Sequence, residues 1–288
     1  MNISIAESIF EGARILRQAG ISEARREAGS LLEHVIERDR TFIIAHADHL
    51  ISNEHLETYR QIVMRRAKGE PLQYITGCQV FFGLDFEVTP AVLIPRPETE
   101  LLVETALAIL CPTDEEFDIC DVGTGSGCIA VTLLHERPRA NAIGIDISET
   151  AIQVAQRNAA RHGVAERMRF VASDIFSALS PDETRFDLIV SNPPYIAGST
   201  LEELQREVRD HEPRGALTPG ADGLLIIRRL LSENTTLLKR GGHLLIEIGF
   251  DQGAEVARLV DRNIWRLLAI HQDLQGIPRV LALQKTAS

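Results

Sequence analysis

Four consecutive residues, Asn192-Pro193-Pro194-Tyr195, have the side chains needed to bind a planar –NH2 group. They follow the predicted strand 186–191, whose apolar run Leu188-Ile189-Val190 reads as buried. The prolines must end this strand because proline lacks a backbone N–H and has a fixed φ. The turn offers the Asn192 side chain, backbone carbonyl groups such as that of Pro193, and the flat Tyr195 ring. These groups could accept both hydrogens of an –NH2 group and stack on its plane, while Pro194 keeps the turn rigid. The pattern favours methyl transfer to an amide or exocyclic amine over a merely structural turn.

A glycine-rich turn between a strand and a helix predicts a cofactor site. Glycines let the backbone bend tightly and approach a ligand closely. Dinucleotide binding prefers Gly-x-Gly-x-x-Gly with the pyrophosphate at the helix N-terminus, whereas the spacing here is Gly-x-Gly-x-Gly. That spacing suits S-adenosylmethionine, whose methionyl part carries no phosphates. The predicted cofactor-binding residues of this segment are Asp121, Gly123, Thr124, Gly125, Ser126 and Gly127.

Two further carboxylates end the next two predicted strands. Asp146 is predicted to accept hydrogens from the ribose hydroxyl groups of the cofactor, and Asp174 to meet the adenine amino group. Ile175 is predicted to lie against the adenine face, and Asn192 is predicted to contact the cofactor as well as the substrate. All of these residues fall at the carboxyl ends of parallel strands, where open α/β sheets bind ligands. Helix capping is the alternative reading for both Asp146 and Asp174.

The periodicity of the chain indicates three parts. Residues 1–77 show helical spacing of apolar residues and predict a small all-α domain, and residues 78–94 predict a linking β-hairpin. In the remainder, 95–288, strands and helices alternate, which predicts a doubly wound, mostly parallel α/β sheet. The predicted strands are 117–122, 141–147, 168–173, 186–191, 242–248, 264–271 and 279–284, and the predicted helices that follow are 127–137, 149–162, 222–240 and 252–262.

Composition restricts the classes of partner. The chain has 288 residues and a net charge of −11. Residues 1–77 are nearly neutral, with ten Lys and Arg and eleven Asp and Glu, whereas residues 78–288 carry twenty Lys and Arg and thirty Asp and Glu. An acidic catalytic part argues against direct nucleic-acid binding, which usually needs a basic face. No apolar run approaches a membrane span, and no Cys, His and acidic cluster suggests a metal site. The four dispersed cysteines favour a reducing, cytoplasmic compartment.

Taken together, the motifs resemble the HemK/PrmC family, the methyltransferases that modify a glutamine side-chain amide in peptide-chain release factors. The resemblance extends over essentially the whole chain. Ile175 is a departure, because some relatives have tryptophan there, and adenine stacking would become apolar contact. The segments that carry the resemblance are the helical N-terminal domain, Phe81–Phe86, Ile94–Glu100, Asp121–Gly127, Asn192–Tyr195, Glu212–Leu217 and Gly220–Leu224.

The resemblance implies a class I S-adenosylmethionine-dependent methyltransferase, with a Rossmann-like sheet of seven strands of which the last is antiparallel. Its substrate would be the glutamine of a Gly-Gly-Gln loop in class-1 release factors, which the N-terminal domain would help to hold. Asn192, Pro193 and Tyr195 would act as the catalytic residues, and Pro194 would complete the substrate site.

Three other functions compete with this reading. An adenine-amino nucleic-acid methyltransferase could use the same four residues with a flipped base stacked on Tyr195. A non-catalytic adaptor for release factors would lack cofactor binding. A dehydrogenase is disfavoured by the glycine spacing and leaves residues 192–195 without a role.

Overall fold

The computed structural model describes residues 3–111, 114–180, 185–233 and 236–286. These residues form two compact units. The first contains the chain up to Cys78 together with Gln205–His211, and the second contains Gln79–Leu204 and the chain from Glu212 onward. No helix in these ranges is long and apolar enough to span a membrane.

The first unit is a small helical bundle. A capping box starts its first helix, because the Ser4 hydroxyl accepts from the Glu7 N–H and the Glu7 carboxylate accepts from the Ser4 N–H. Leu16, Leu31 and Tyr59 are among the buried side chains that hold the helices together. The helices are α1 (Ile5–Gln18), α2 (Ala24–Ile36), α3 (Arg40–Ala45), α4 (Asn53–Ala67) and α5 (Leu72–Thr76).

Residues 205–211 belong with this bundle, although the predicted division assigns them to 95–288. The buried Arg66 side chain explains the difference. It lies 2.5 Å from the Glu27 carboxylate and 2.7 Å from that of Glu207. A buried guanidinium is stable only when it is paired with a carboxylate, so the ion pair with Arg66 fixes Glu207 against the bundle.

The predicted hairpin exists but is shorter than 78–94. Strands β1 (Cys78–Phe81) and β2 (Leu84–Glu87) pair through a turn in which Phe82 and Gly83 both have positive φ. The paired strands end at Glu87. Residues 88–94 continue as a loop, and Pro90 among them has no N–H to donate to a ladder.

A seven-stranded sheet forms the centre of the second unit and confirms the predicted fold class. Its strand order is β5-β4-β3-β6-β7-β9-β8, and β9 alone runs antiparallel to its neighbours β7 and β8. The first five strands in that order pair in parallel. The strands are β3 (Asp118–Val122), β4 (Asn141–Asp146), β5 (Met168–Ala172), β6 (Phe186–Ser191), β7 (Leu238–Glu247), β8 (Trp265–Gln272) and β9 (Pro278–Lys285).

Apolar side chains cover both faces of this sheet, as expected for parallel strands flanked by helices. On adjacent strands, Ile119 and Leu188 point into one buried cluster, while Cys120 and Ile189 point into the other. The remaining helices are α6 (Glu100–Ile109), α7 (Cys128–Glu136), α8 (Glu149–Arg161), α9 (Arg206–His211, in the first unit), α10 (Arg214–Leu217), α11 (Leu225–Glu233) and α12 (Gly253–Leu259).

The predicted helix 222–240 is wrong in length. Helix α11 extends to Glu233, positions 234–235 lie outside the described residues, and β7 already begins at Leu238. Leu238 pairs with Phe186, and an irregularity in the register separates it from the regular pairing that starts at His243. The glycines at 241 and 242 make this irregular start possible. They also interrupt the apolar periodicity, so the sequence did not predict the first residues of this strand.

Candidate active site

A cavity of about 420 Å³ opens at the carboxyl ends of the parallel strands. All of the residues that line it belong to the second unit. Strands β3 and β6 are neighbours, with Val122 opposite Ser191, so the glycine turn after β3 and the turn after β6 lie side by side. A Cβ added at Gly123 would lie 4.0 Å from the Asn192 carbonyl oxygen. The cavity has the size and position of a ligand site in an open α/β sheet.

The backbone of the glycine turn uses its N–H groups within the protein. The N–H groups of Gly123 and Thr124 both donate to the Ile145 carbonyl at 2.8 Å, and that of Gly125 donates to the Asp146 carboxylate at 2.9 Å. Donors that are occupied in this way are not available to cradle a pyrophosphate. The turn therefore favours a ligand without phosphates, in agreement with the glycine spacing.

Asp121 lies beneath this turn and does not line the cavity. Its Oδ2 accepts hydrogen bonds from the Thr124 hydroxyl and the Ala130 N–H, and its Oδ1 is buried without a hydrogen-bond partner among the described residues. Burial raises the pKa of Asp121 to about 7. The geometry corrects the predicted direct contact: Asp121 shapes the turn from below.

Gly127 also lies outside the lining of the cavity. Its φ is +80°, and a Cβ there would lie 3.1 Å from the Ala155 Cβ. Helix α7 begins directly after it. Gly127 therefore allows the close packing of α7 on α8, and the other predicted turn residues (Gly123, Thr124, Gly125 and Ser126) line the cavity itself.

Asp146 lines the cavity at the end of β4. Its Oδ2 accepts from the Gly125 N–H and its Oδ1 accepts from the Ser148 N–H, each at 2.9 Å. Burial raises its pKa, and these backbone donors oppose the rise. The N-cap of α8 is Ser148, whose hydroxyl accepts from the Ala151 N–H, so capping does not explain Asp146. A fixed carboxylate on the cavity wall suits ligand hydroxyl groups.

Asp174 and Ile175 form another part of the wall. The Asp174 carboxylate pairs with Arg229 at 2.8 Å and starts no helix, so capping does not explain this residue either. Ile175 is buried and has a φ of +52°. Such a backbone conformation is a genuine outlier for a β-branched residue, and such outliers cluster at ligand sites.

Asn192, Pro193 and Pro194 line the cavity beside the glycine turn. The Asn192 Nδ2 donates to the Thr99 hydroxyl at 3.0 Å. Within the described part of the chain, no hydrogen bond occupies the Asn192 Oδ1 or the Pro193 carbonyl oxygen. Two acceptors on one rigid turn can therefore take both hydrogens of an –NH2 group.

Tyr195 lies outside the lining of the cavity, which differs from the predicted stacking on the substrate. Its hydroxyl donates to the Glu247 Oε1 at 3.2 Å, and its carbonyl accepts from the Gln252 side chain at 3.0 Å. Burial, followed by the Glu247 charge, raises its pKa. A Cβ at Gly223 would lie 2.2 Å from the same carbonyl, so only glycine fits there. These contacts of Tyr195 hold the 192–195 turn in place on the side away from the cavity.

Several residues of the site were not predicted individually, although Arg96 and Thr99 lie in the Ile94–Glu100 segment that carries the resemblance. Thr99 and Arg96 line the cavity, and Arg96 pairs at 2.5 Å with the buried Glu212. Glu247 holds Tyr195 and is buried, and burial raises its pKa to about 7. The rule that selected Asp146, an acidic residue at the carboxyl end of an apolar parallel strand, selects Glu247 equally well. No comparable sequence pattern selects Thr99 individually, because its role depends on its contact with Asn192, which is distant in the sequence.

Known proteins resemble the chain over nearly its whole length. Residues 8–77 match the PrmC N-terminal domain, and residues 113–260 match a methyltransferase domain. The release factor glutamine methyltransferase of Geobacter sulfurreducens is 44% identical over 92% of this chain and 91% of that protein. The protein of the same name from Koribacter versatilis is 40% identical over 99% of this chain and 100% of that protein.

Among solved structures, a methyltransferase from Pyrococcus furiosus has a similar fold. The TM-score is 0.52 at 17% identity, and the match covers 79% of this chain and 98% of the other. At that identity the likeness shows the fold alone.

Proposed function

We propose that this chain, which belongs to the release factor glutamine methyltransferase family, methylates the side-chain amide nitrogen of a glutamine in class-1 peptide-chain release factors. The target is the glutamine of the Gly-Gly-Gln loop, and the methyl donor is S-adenosylmethionine. The observation that carries the proposal is the pair of unoccupied acceptors, the Asn192 Oδ1 and the Pro193 carbonyl, on the cavity wall next to the glycine turn.

The residues present fit S-adenosylmethionine. The Asp146 carboxylate is fixed on the cavity wall, where it can accept hydrogens from ribose hydroxyl groups. Ile147 and Ile175 add apolar surface for an adenine ring, with Asp174 beside them. Asp146 also gives the cavity a carboxylate without a cationic partner among the described residues, which suits a cationic sulfonium, whereas Asp174 is already paired with Arg229. The backbone N–H groups of Gly123, Thr124 and Gly125 are already hydrogen-bonded within the protein, so they are not available to bind phosphates.

The chain's own residues would act mainly by orientation. An amide nitrogen is a poor nucleophile because its lone pair is delocalised into the carbonyl. The Asn192 Oδ1 and the Pro193 carbonyl would each accept one hydrogen of the glutamine –NH2 group, and the rigid turn would direct its lone pair. Bound S-adenosylmethionine would supply the electrophilic methyl group and be left as S-adenosylhomocysteine, and the amide nitrogen, made acidic by the new bond, would release one of its two hydrogens as a proton. Orientation of this kind lowers a barrier by up to roughly 7–11 kcal/mol in well-aligned systems.

The N-terminal unit is proposed to help hold the release factor, because it matches the PrmC N-terminal domain and lines none of the cavity. We propose a division into a substrate-binding domain at 1–77, a linker at 78–94 and a methyltransferase domain at 95–288, in which residues 205–211 pack with the first domain. A cytoplasmic location is proposed from the free thiols of Cys111, Cys120 and Cys128. Direct nucleic-acid binding is not part of the proposal.

The test uses the full chain, labelled S-adenosylmethionine and three acceptors: a purified class-1 release factor, the same factor with its Gly-Gly-Gln glutamine replaced by alanine, and adenine-containing DNA and RNA. We expect label on the unaltered release factor alone. Label on nucleic acid alone would overturn the proposal in favour of adenine methylation. Label on neither, with cofactor binding intact, would also overturn it.

A further inference from the structure

One cationic side chain lines the candidate active site and has no role in the chemistry proposed so far. Arg96 lies on the cavity wall, and its side chain is 31% exposed. The other charged residues in the described lining are Asp146 and Asp174, on the side assigned to the cofactor. A guanidinium offers several N–H donors, so Arg96 suits a ligand that carries oxygen acceptors.

The contacts of Arg96 place it beside the substrate turn. Its carbonyl accepts from the Thr99 N–H at 3.1 Å, and the Thr99 hydroxyl accepts from the Asn192 side chain at 3.0 Å. Asp146 ends β4, which is separated from β6 and its substrate turn by β3. Arg96 therefore lies on the substrate side of the cavity.

A buried carboxylate holds the guanidinium of Arg96 by one end. The Arg96 Nη2 donates to the Glu212 Oε1 at 2.5 Å, and the Ile94 N–H donates to the Glu212 Oε2 at 3.2 Å. The Glu212 side chain is 1% exposed, so its position is fixed by packing. Within the described ranges the Arg96 side chain makes no other hydrogen bond. Its Nε and Nη1 are thus held in place and available to a ligand.

The wall around Arg96 supplies few other donors. The Ala216 N–H already donates to the Pro213 carbonyl at 2.9 Å, and prolines have no N–H. This segment also lies beside the substrate turn, because the Ile196 N–H donates to the Leu217 carbonyl at 3.0 Å. The lining residues next to Arg96 or just after Glu212 have no polar side chains: Pro95, Pro213, Gly215 and Ala216. A peptide that buried its backbone carbonyl oxygens here would need the donors of Arg96.

We propose that Arg96 is a substrate-binding residue whose free N–H groups donate to backbone carbonyl oxygens of the Gly-Gly-Gln loop, while Glu212 holds the other end of the guanidinium. Glycines leave neighbouring carbonyl groups unshielded by side chains, so one planar guanidinium can reach more than one of them. This inference rests on the proposed function and adds how the backbone of the loop is recognised.

The methionyl carboxylate of S-adenosylmethionine is the competing ligand for these donors. The glycine turn, which the methionyl part would contact, is buried at Thr124 and Ser126. Arg96 is exposed enough to meet a protein that approaches from solvent. That difference favours the peptide, and the affinity for the cofactor tests it.

The experiment replaces Arg96 by lysine and by alanine in the full chain. A lysine ammonium is a compact point charge, so it can keep the ion pair with Glu212 but cannot also reach a peptide as the guanidinium does. Arg96→Lys therefore separates the substrate contact from the ion pair, whereas Arg96→Ala removes both. The quantities measured are KM and kcat with a class-1 release factor, the dissociation constant of S-adenosylmethionine, and the melting temperature.

We expect both variants to raise KM for the release factor by about tenfold or more, the usual size for a hydrogen bond from a charged donor. The value of kcat should change by less than about threefold, because a contact made equally in the ground and transition states affects KM alone. The affinity for S-adenosylmethionine should stay unchanged, and Arg96→Lys should keep the wild-type melting temperature. Arg139→Ala removes a cation that pairs with the exposed Glu116 outside the cavity lining, and this matched control should behave as the wild type.

A wild-type KM in Arg96→Lys would overturn the inference and leave Arg96 as a partner of Glu212 only. A weaker affinity for S-adenosylmethionine at unchanged KM would also overturn it, because the guanidinium would then belong to the methionyl carboxylate. Joint losses of kcat and melting temperature in both variants would indicate packing and overturn it as well. If Arg96→Ala does not fold, Arg96→Lys decides alone. A wild type that methylates no release factor would instead overturn the proposed function.

The salt dependence distinguishes a backbone carbonyl from an acidic side chain of the release factor. Pairs of exposed charges weaken as the ionic strength rises, whereas a carbonyl group carries no net charge. The ratio of KM between Arg96→Lys and the wild type should therefore be the same at low and high ionic strength. A ratio that falls to one at high ionic strength would indicate an acidic side chain and overturn the assignment to the backbone.

Discussion

The Asn192 side-chain amide donates to the Thr99 hydroxyl at 3.0 Å, although the two residues are 93 positions apart in the sequence. Asn192 follows β6, and Thr99 immediately precedes α6. The bond leaves the amide oxygen of Asn192 unoccupied within the described chain and holds the side chain on the cavity wall. The residue predicted to bind the substrate therefore depends on Thr99, whose segment was recognised in the sequence but whose contact with Asn192 was not.

Replacing Asp146 should weaken cofactor binding. Asp146→Ala removes a carboxylate that is fixed on the cavity wall by two backbone donors. A charge-assisted hydrogen bond contributes roughly 1.5–3 kcal/mol, so the dissociation constant for S-adenosylmethionine should rise by more than about tenfold in calorimetry. Asp48→Ala, which removes an exposed carboxylate from the first unit, is the matched control. Equal affinity in the Asp146 and Asp48 variants would contradict the assignment.

Replacing Gly127 should destabilise the chain more than an equivalent change at Gly163. Both residues have positive φ, but a Cβ at Gly127 meets Ala155 at 3.1 Å, whereas one at Gly163 meets nothing within 4 Å. Each alanine variant should lose about 1–2 kcal/mol from its backbone conformation. Gly127→Ala should lose roughly 1–3 kcal/mol more from crowding against α8. Urea unfolding of the two variants checks the difference, and equal losses would disprove the packing role.

Asp121 should make stability depend on pH. Burial raises its pKa from 3.8 to about 7, so the native state keeps the proton to a higher pH than the unfolded state does. The free energy of unfolding therefore falls as the pH rises through the window from 3.8 to about 7. Relative to Asp121→Asn, the wild type should lose about 2–3 kcal/mol between roughly pH 5 and pH 8. Urea unfolding at both pH values measures this, and a difference that is independent of pH would refute the protonated state.

Much of the fold could be predicted from the sequence because its signals are local. Apolar runs located all seven strands, four of which end in or just before a glycine or an acidic residue, and the motif after β6 located the substrate turn. The start of β7 was missed because the glycines at 241 and 242 break the pattern that a strand normally shows. The predicted hairpin extended too far because the apolar composition continues past Glu87, where the pairing of the two strands ends.

The site was predicted less completely because its geometry depends on contacts between distant segments. Asp146 and Asn192 line the cavity as the strand-end rule suggests. The same rule could not show that Asp121 supports the turn from beneath, or that the Tyr195 hydroxyl points to Glu247. Such roles depend on side-chain direction and burial, which spacing alone does not determine.

The most direct test of the central claim is peptide mass spectrometry of a class-1 release factor incubated with S-adenosylmethionine and either the wild-type chain or Asn192→Ala. The account predicts one added methylene on the Gly-Gly-Gln glutamine with the wild type. It predicts a rate lower by about 10²–10³ with Asn192→Ala at unchanged cofactor affinity, as for the loss of an oriented polar group at a reacting centre. Asn141→Ala, at the exposed start of β4, should match the wild type. A normal rate of glutamine methylation by Asn192→Ala would contradict the account.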